Sequence, residues 1–405
     1  MRTAAAVFLI IIITLPIYPC TTAIVSGKYT ADGRPLLVKH RDSGFIHNKL
    51  MYFDDGRYNY IGLVNSVDSL GEEVWGGSNS AGFAIMNSAS YNLKPEDDTT
   101  RIKDREGIIM KLALQSCERL EDFEELLESL DKPLGVEANF GVIDAYGGCA
   151  YYECDNFSFK KIDANNPEIA PFGYIIRTNY SFTGEEDEGY GYIRYLAAEQ
   201  LFYNAAASKD LSSRFILQDM SRNLKHSLTG VDLTKDHLVS GTEKEFVNFQ
   251  DFIPRNSSVA TILVQGVKKG ESPEFTTVWT ILGFQLCSVA VPTWVAGGNS
   301  LPSILVADTS GTAPLCEKAL TLKEKCFPVK RGSGYKYLNT SAVLNKEKTG
   351  ILQLLRPVED EILIKTDEKM KRWRDTGSIS SDEVKVFYKW LEKYVSDEYS
   401  ELFGL

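Results

Sequence analysis

The chain has 405 residues, a formal net charge of -11, 43% hydrophobic residues and 24% charged residues. That length is enough for one large core or two smaller ones, and the composition is that of a globular protein rather than a disordered or fibrous one. The acidic balance, with no basic arm, argues against nucleic acid as a partner.

In chain order, Met1-Arg2, the apolar stretch from Ala4 to Leu15 and Pro16-Ile17-Tyr18-Pro19 read as a secretory leader over residues 1–19. The apolar run is too short for a transmembrane helix, which takes about 20 residues. The expectation is therefore a secreted or periplasmic protein with no stable membrane insertion after leader removal. Cleavage at Pro19–Cys20 would leave a chain that starts with a thiol and a free α-amine on one residue. Such an amine has a reference pKa of ~7.7–8.0, so near neutral pH it can accept the thiol's proton. Three other readings of Cys20 stay open. It is a lipid-attachment cysteine, although Tyr18-Pro19 departs from the small residues such signals favour. It lies in a leader cut later, after Thr21-Thr22-Ala23. Or it is half of a disulfide. Pro19 makes ordinary signal-peptidase cleavage awkward.

From Cys20 onward the pattern is short strands: Thr21–Tyr29, Pro35–Arg41 across an Asp32-Gly33 turn, then Leu50–Phe53, Asn59–Val64 and Gly82–Asn87. Helical periodicity covers Ile108–Cys117 and Glu121–Leu130. Strands return at Asn139–Asp144, Gly148–Cys154, Phe157–Ile162 and Gly173–Thr178. Helices follow at Ile193–Ala206 and Leu211–Asn223, then strands at Val259–Gln265, Thr277–Leu282 and Cys287–Val291. Two amphipathic helices close the chain, Asn345–Glu368 and Asp382–Glu398. Their apolar faces are read as packing on the core or on a partner subunit, which leaves a homo-oligomer open. No repeat or Pro/Gly/Ser-rich linker divides the chain. The expected organisation is a leader (1–19), an α+β domain of stacked sheets with outer helices (20–300), and a C-terminal helical extension packed on it (301–405).

Seven cysteines in a chain this long make no disulfide scaffold. If the others pair, Cys20 is the one left over. Cys316 and Cys326 lie in a loop-like stretch and are read equally as a disulfide or as two reduced thiols. Cys149 and Cys154, five apart on one strand, point to opposite faces. His40, His47, His226 and His237 are scattered without metal-ligand spacing, and no cofactor motif is present.

The stretch Cys20-Thr-Thr-Ala-Ile-Val-Ser-Gly through Asp32-Gly33 to Val38-Lys39-His40-Arg41-Asp42-Ser43 resembles the opening of the N-terminal nucleophile (Ntn) hydrolases whose first residue is cysteine. These are the penicillin V acylase and choloylglycine hydrolase group, the acyl-CoA:6-aminopenicillanate acyltransferase-like group and related secreted dipeptidases. Gly82-Phe-Ala-Ile-Met-Asn87-Ser, Ala138-Asn139-Phe140 through Glu153, and Ile176-Arg177-Thr178-Asn179-Tyr180 follow in the same order. Thr277-Val-Trp279-Thr280 to Pro292 is similar to the later strands of the acyltransferase-like branch. The resemblance implies a four-layer αββα sandwich and cleavage of a linear, non-α-peptide amide, an N-acyl compound, through a thioester on Cys20. Acyl transfer would follow where an amine outcompetes water. It places Asn87 and Asn179 at the family's two asparagines, where side-chain amides stabilise an oxyanion; a lone Asn at a strand end is otherwise a turn-former.

Asp42, at the end of the second hairpin strand, is expected to orient the α-amine. Lys39 stands where bile-salt hydrolases have Arg; it is a nearby cation without the guanidinium fork. That departure favours the acyltransferase-like branch. Arg194 is a supporting cation and Arg177 its alternative. Arg41, adjacent to Asp42, faces the other way and is read as structural. Tyr180 and Phe182, with Tyr190, are candidates for an acyl pocket or for ordinary packing. A secreted dipeptidase and a non-catalytic, lipid-anchored binding protein acylated at Cys20 are the rival functions.

Overall fold

A computed structural model describes residues 20–95 and 98–405. The expected leader, and the Pro19 side of the bond before Cys20, lie outside the described residues.

Two antiparallel sheets face one another. The first has six strands in the order β10-β1-β2-β12-β13-β14. These are β1 (Thr21–Val25), β2 (Leu36–Asp42), β10 (Tyr174–Arg177), β12 (Ser258–Gln265), β13 (Thr277–Leu282) and β14 (Val291–Thr293). The second is a seven-stranded meander, β3 to β9. It comprises β3 (Asn48–Phe53), β4 (Tyr60–Asn65), β5 (Gly77–Asn79), β6 (Ala84–Ala89), β7 (Ala138–Ile143), β8 (Cys149–Cys154) and β9 (Phe159–Asp163). A separate two-stranded ribbon joins β11 (Phe246–Asn248) to β15 (Tyr337–Asn339).

Helices cover both outer faces. Helices α1 (Glu106–Ser116) and α2 (Leu120–Ser129) lie on the meander, burying Ile109, Met110, Phe123 and Leu127 against Phe83, Phe140 and Tyr152. The six-stranded sheet carries α3 (Tyr192–Ala207), the short α4 (Ser213–Phe215), α5 (Pro314–Cys326), α6 (Thr340–Val343), α7 (Ile351–Thr376) and α8 (Ser381–Phe403). The α+β class and the order helices, sheet, sheet, helices are those the resemblance implies. The last two helices share one apolar core with the six-stranded sheet: Trp373 and Tyr388 close on Trp294, which follows β14. No helix among the described residues is long and apolar enough to cross a membrane.

Strand β1 forms where Thr21-Thr22-Ala23-Ile24-Val25 concentrates β-branched residues, all buried. The connection to β2 turns at Gly33, whose φ of 77° suits glycine. Arg34 clamps that turn by ion pairs to Asp32 and Glu271. Alternation then sorts the side chains. Thr22, opposite Lys39, faces the meander, where its hydroxyl accepts from the Tyr151 phenol at 2.9 Å. Cys149 joins the core between the sheets and Cys154 the core under α1 and α2, the opposite faces their spacing requires.

Three expected elements differ from the structure, and the alternative left open for Cys316 and Cys326 is resolved. Residues 211–223 form only α4 and one wide turn, Ile216–Met220, in which the Ser221 N–H reaches back five residues to the Ile216 carbonyl. The strand expected at Cys287–Val291 is displaced to Val291–Thr293, because Gln285–Cys287 form a tight turn closed by the Cys287 N–H on the Phe284 carbonyl at 2.8 Å. Pro292 is accommodated there because β14 is an edge strand, where a missing N–H costs no ladder bond. Residues 314–326 are a helix, α5, opened by Pro314. Cys316 and Cys326 therefore stand ten residues apart on one helix, about 15 Å along its axis, too far to pair. All seven cysteines are free thiols, and Cys326 sits 3.5 Å from Cys287 instead.

Candidate active site

Cys20 directly precedes β1 and is buried. Thr21 lies opposite His40 on β2, so the same register sets Cys20 across from Arg41, on the face toward the meander. Its Sγ is 3.9 Å from the Asp42 carbonyl oxygen.

Lys39 and Arg41, two apart on β2, share that face. Lys39 Nζ donates to Asn87 Oδ1 on β6 at 2.6 Å, tying the two sheets together beside Cys20. The contact fixes the amide: Oδ1 turns to the ammonium, so the Nδ2 donors are left for another acceptor. Burial pushes Lys39 down to about 8, against the pull of Cys20 upward. Arg41 donates to Asn48 and to Asn65 Oδ1 (2.9 Å) and lies over the Trp75 ring at 4.9 Å. Burial pushes it down to about 10, and Cys20 is the first of the groups that oppose this. The structural reading of Arg41 thus captures its asparagine clamp and misses its place on the Cys20 face.

Arg194, fully buried on α3, is the hub on the other side. Its guanidinium donates to the Cys20 carbonyl, to Thr21 Oγ1 at 2.7 Å and to Asn179 Oδ1 at 3.0 Å. Burial lowers it to about 9, with Arg255 adding to the fall and Asp42 and Cys20 opposing it. Asn179 follows β10 and bridges Tyr190 through both main-chain groups. Its Nδ2 donates one proton to the Ala89 carbonyl at 2.8 Å, which leaves the second. Its backbone N–H is already used by the Tyr190 carbonyl, so any donor role belongs to the side chain. Gly191 makes this packing possible: its φ is 91°, and a Cβ there would stand 2.1 Å from Arg194 Nη2.

The Asp42 carboxylate sits on the opposite face of β2. Arg255 donates to Oδ2 and Ser258 Oγ to Oδ1 at 2.6 Å, and the ion pair is buried. Arg255 lies in a loop before β12 and carries no pattern that singles it out in sequence. A cavity of about 790 Å³ opens beside it, lined among others by Ser43, Ile46, Ser257, Lys323 and Tyr335.

The remaining candidates separate. Arg177 pairs with buried Glu153 at 2.7 Å, and Glu153 also takes the N–H groups of Phe182 and Thr183. Arg177 therefore holds the turn after Asn179, and Arg194 is the arginine that touches Cys20. Tyr180 and Phe182 stack at 5.5 Å; Phe182 is exposed and carries the Arg177 guanidinium on its face at 4.1 Å. Tyr190 packs edge-on against Tyr91. Sequence reasoning missed Arg255, Ser258, Trp75 and the place of His40. Only His40 had a signal, since alternation puts it with Asp42. No metal-binding cluster of His, Cys, Asp and Glu occurs among the described residues.

No protein-family model matches the chain. No curated protein matches it significantly. Among solved structures, it is similar to the Caenorhabditis elegans orthologue of N-acylethanolamine-hydrolyzing acid amidase (TM-score 0.39, 11% identity, 63% of this chain and 93% of that one). It is also similar to a variant of the conjugated bile acid hydrolase of Clostridium perfringens (0.38, 12%, 69% and 93%). A third is penicillin V acylase of Agrobacterium tumefaciens (0.35, 10%, 68% and 86%). At these scores the likeness adds nothing to the layers and contacts above, which come from this chain itself.

Proposed function

We propose that the protein is an N-terminal-cysteine amidohydrolase of the Ntn class, cleaving a linear N-acyl amide through a thioester on Cys20. The observation that carries the reading is the joint placement around Cys20. One buried arginine, Arg194, holds both the Cys20 carbonyl and Asn179. Lys39 holds Asn87 on the facing sheet. Amide cleavage needs a nucleophile, a proton acceptor and preorganised donors at the oxyanion. Cys20 supplies the first and, once the leader is removed, its α-amine the second. The free amide protons of Asn87 and Asn179 suit the third. The cations Lys39, Arg41 and Arg194 favour negative charge on the sulfur during attack. The α-amine takes the thiol proton and, as the tetrahedral species collapses, passes it to the leaving amine; the freed α-amine then deprotonates water, which releases the acid and returns the proton to the sulfur. An amine acceptor in place of water makes the same site an acyltransferase.

Leader removal places the protein outside the cytoplasm, where it acts on a small N-acyl substrate without metal or cofactor. Exposed Phe182, with half-buried Tyr180 stacked on it, is the proposed contact for the acyl group. The test is a panel of N-acyl amino acids, N-acyl amines and free dipeptides assayed with the mature protein, its Cys20→Ala variant and its Cys20→Ser variant. Turnover of N-acyl compounds that Cys20→Ala abolishes and Cys20→Ser nearly abolishes is the expected result. Turnover of dipeptides alone would transfer the site to a dipeptidase, and wild-type rates in Cys20→Ala would place the chemistry elsewhere.

A further inference from the structure

A buried chain of side chains runs from the outer part of the six-stranded sheet to Asp42. Gln285 Nε2 donates to Thr261 Oγ1 at 3.1 Å. Thr261 Oγ1 lies 3.3 Å from His40 Nδ1. His40 Nε2 lies 3.0 Å from Ser258 Oγ. Ser258 Oγ donates to Asp42 Oδ1 at 2.6 Å and accepts the Arg255 N–H at 3.0 Å. Every member is buried: His40, Ser258, Thr261 and Gln285 are fully enclosed, and Asp42 is 4% exposed.

The direction of each bond follows from the chain's end. An ionised carboxylate only accepts, so the single Ser258 proton goes to Asp42. His40 Nε2 must then be the donor to Ser258. That leaves His40 Nδ1 as an acceptor, filled by the Thr261 hydroxyl, whose oxygen takes the Gln285 amide proton. One tautomer, Nε2–H, gives both ring nitrogens and both hydroxyls a partner, and leaves only Gln285 Oε1 without one. An imidazolium at His40 would put a proton on Nδ1 and turn the Thr261 contact round. Burial opposes that charge and lowers His40 to about 4. The charged groups around the ring are Asp42, which favours the imidazolium, and Arg255, Arg194 and Arg222, which disfavour it.

We propose that His40 is a positioning residue for the Cys20 site, a neutral imidazole locked as the Nε2–H tautomer that fixes the Ser258 hydroxyl on the Asp42 carboxylate. Ser258 without the His40 donor is free to rotate, and Asp42 then keeps Arg255 but loses a fixed donor to its charged form. The Asp42 main chain touches the Cys20 sulfur, so a shift of the carboxylate reaches the nucleophile. The kinetic part of this inference rests on the amidohydrolase reading; the tautomer does not.

Two measurements on the purified mature protein test it. Nitrogen NMR of histidine-labelled protein should show one of its four histidines neutral with the proton on Nε2 from about pH 5.5 to 8.5, a signal that His40→Gln removes. An Nδ1–H tautomer or an imidazolium at neutral pH at that position overturns the proposal. His40→Leu and Ser258→Ala should each lower kcat about ten-fold or more, the effect of losing a hydrogen bond to a charged group. Both should move the acid limb of the pH profile to higher pH, and the double variant should add little to either single one. His40→Gln, which keeps a donor and an acceptor, should restore part of the rate. The pH dependence of Cys20 alkylation by iodoacetamide gives the same profile without any substrate, so absence of turnover on the panel leaves this arm readable. Unchanged profiles in both His40→Leu and Ser258→Ala would reduce the chain to a packing role and overturn the inference.

Discussion

At the residue scale, the site concentrates cations that are expensive to bury. Lys39 illustrates the trade. Its folded pKa, about 8, lies below its unfolded value of 10.5. The unfolded chain therefore binds more protons between those values, so stability rises with pH across that window and the full penalty applies below pH 8. The shift corresponds to roughly 3 kcal/mol at neutral pH, an upper limit for what removal of the charge returns. Lys39→Met should raise the unfolding midpoint at pH 7 and flatten the rise in stability between pH 8 and 10.5. It should also lower turnover, since Asn87 and the sulfur lose their cation. A variant that is both destabilised and fully active would contradict this assignment. The asparagines have a different signature. Loss of one oxyanion donor lowers the rate about 10²–10³-fold. Asn179→Ala and Asn87→Ala should show that loss in kcat with KM little changed, because the charge they stabilise exists only after attack. A near-normal kcat with a greatly raised KM would make Asn179 a substrate-binding group.

At the scale of elements, the site is where β1, β2, β6 and the turn after β10 meet, with α3 supplying the arginine. Much of this was legible. The Asp32-Gly33 turn predicts the hairpin, and the alternation that sets Arg41 and Asp42 on opposite faces carries Lys39 with Arg41 and His40 with Asp42, a consequence not drawn for His40. The expectation that Asp42 orients the α-amine takes the hairpin ends to meet through side chains. In the fold its carbonyl faces the sulfur while its carboxylate faces Arg255, a residue 213 positions away. Contacts of that range leave no trace in local spacing. Arg194 is named by the resemblance, but its contacts with the Cys20 carbonyl, 174 positions away, and its approach to Asn179 past Gly191 belong to the fold. Gly191→Ala should strain a φ of 91° and push against the guanidinium. The expected result is a loss of about 1–3 kcal/mol in stability, read by denaturant unfolding, together with a fall in kcat. Normal activity in that variant would show that Arg194 can move without consequence. Helix α5 is the converse case. Its signal is present, with Pro314 at the start and Leu315, Ala319, Leu322 and Cys326 on one buried face, and is masked by reading the stretch around the two cysteines as loop-like.

At the scale of the whole molecule, the C-terminal helices complete the core on which the six-stranded sheet rests. Glu359 on α7 shows how they are joined. It forms a buried ion pair with Arg222, and it accepts the Ala290 N–H at 2.7 Å. Arg222 also donates to the Gln285 and Ser288 carbonyls at 3.0 and 2.8 Å. Breaking a buried pair from one side leaves an uncompensated charge and costs about 3–5 kcal/mol. Glu359→Ala should lower the thermal midpoint markedly, with one cooperative transition for sheet and tail together. Two separated transitions would show a tail that folds by itself.

The central claim is that Cys20 becomes the first residue and the nucleophile. Its most direct test is mass spectrometry of the N-terminal peptide of the active protein, quenched in acid during turnover of an N-acyl substrate. The account predicts a peptide beginning at Cys20, with a free α-amine and the acyl group on sulfur. A peptide beginning at Met1 or at Ile24, or one carrying a diacylglycerol on Cys20, would contradict it.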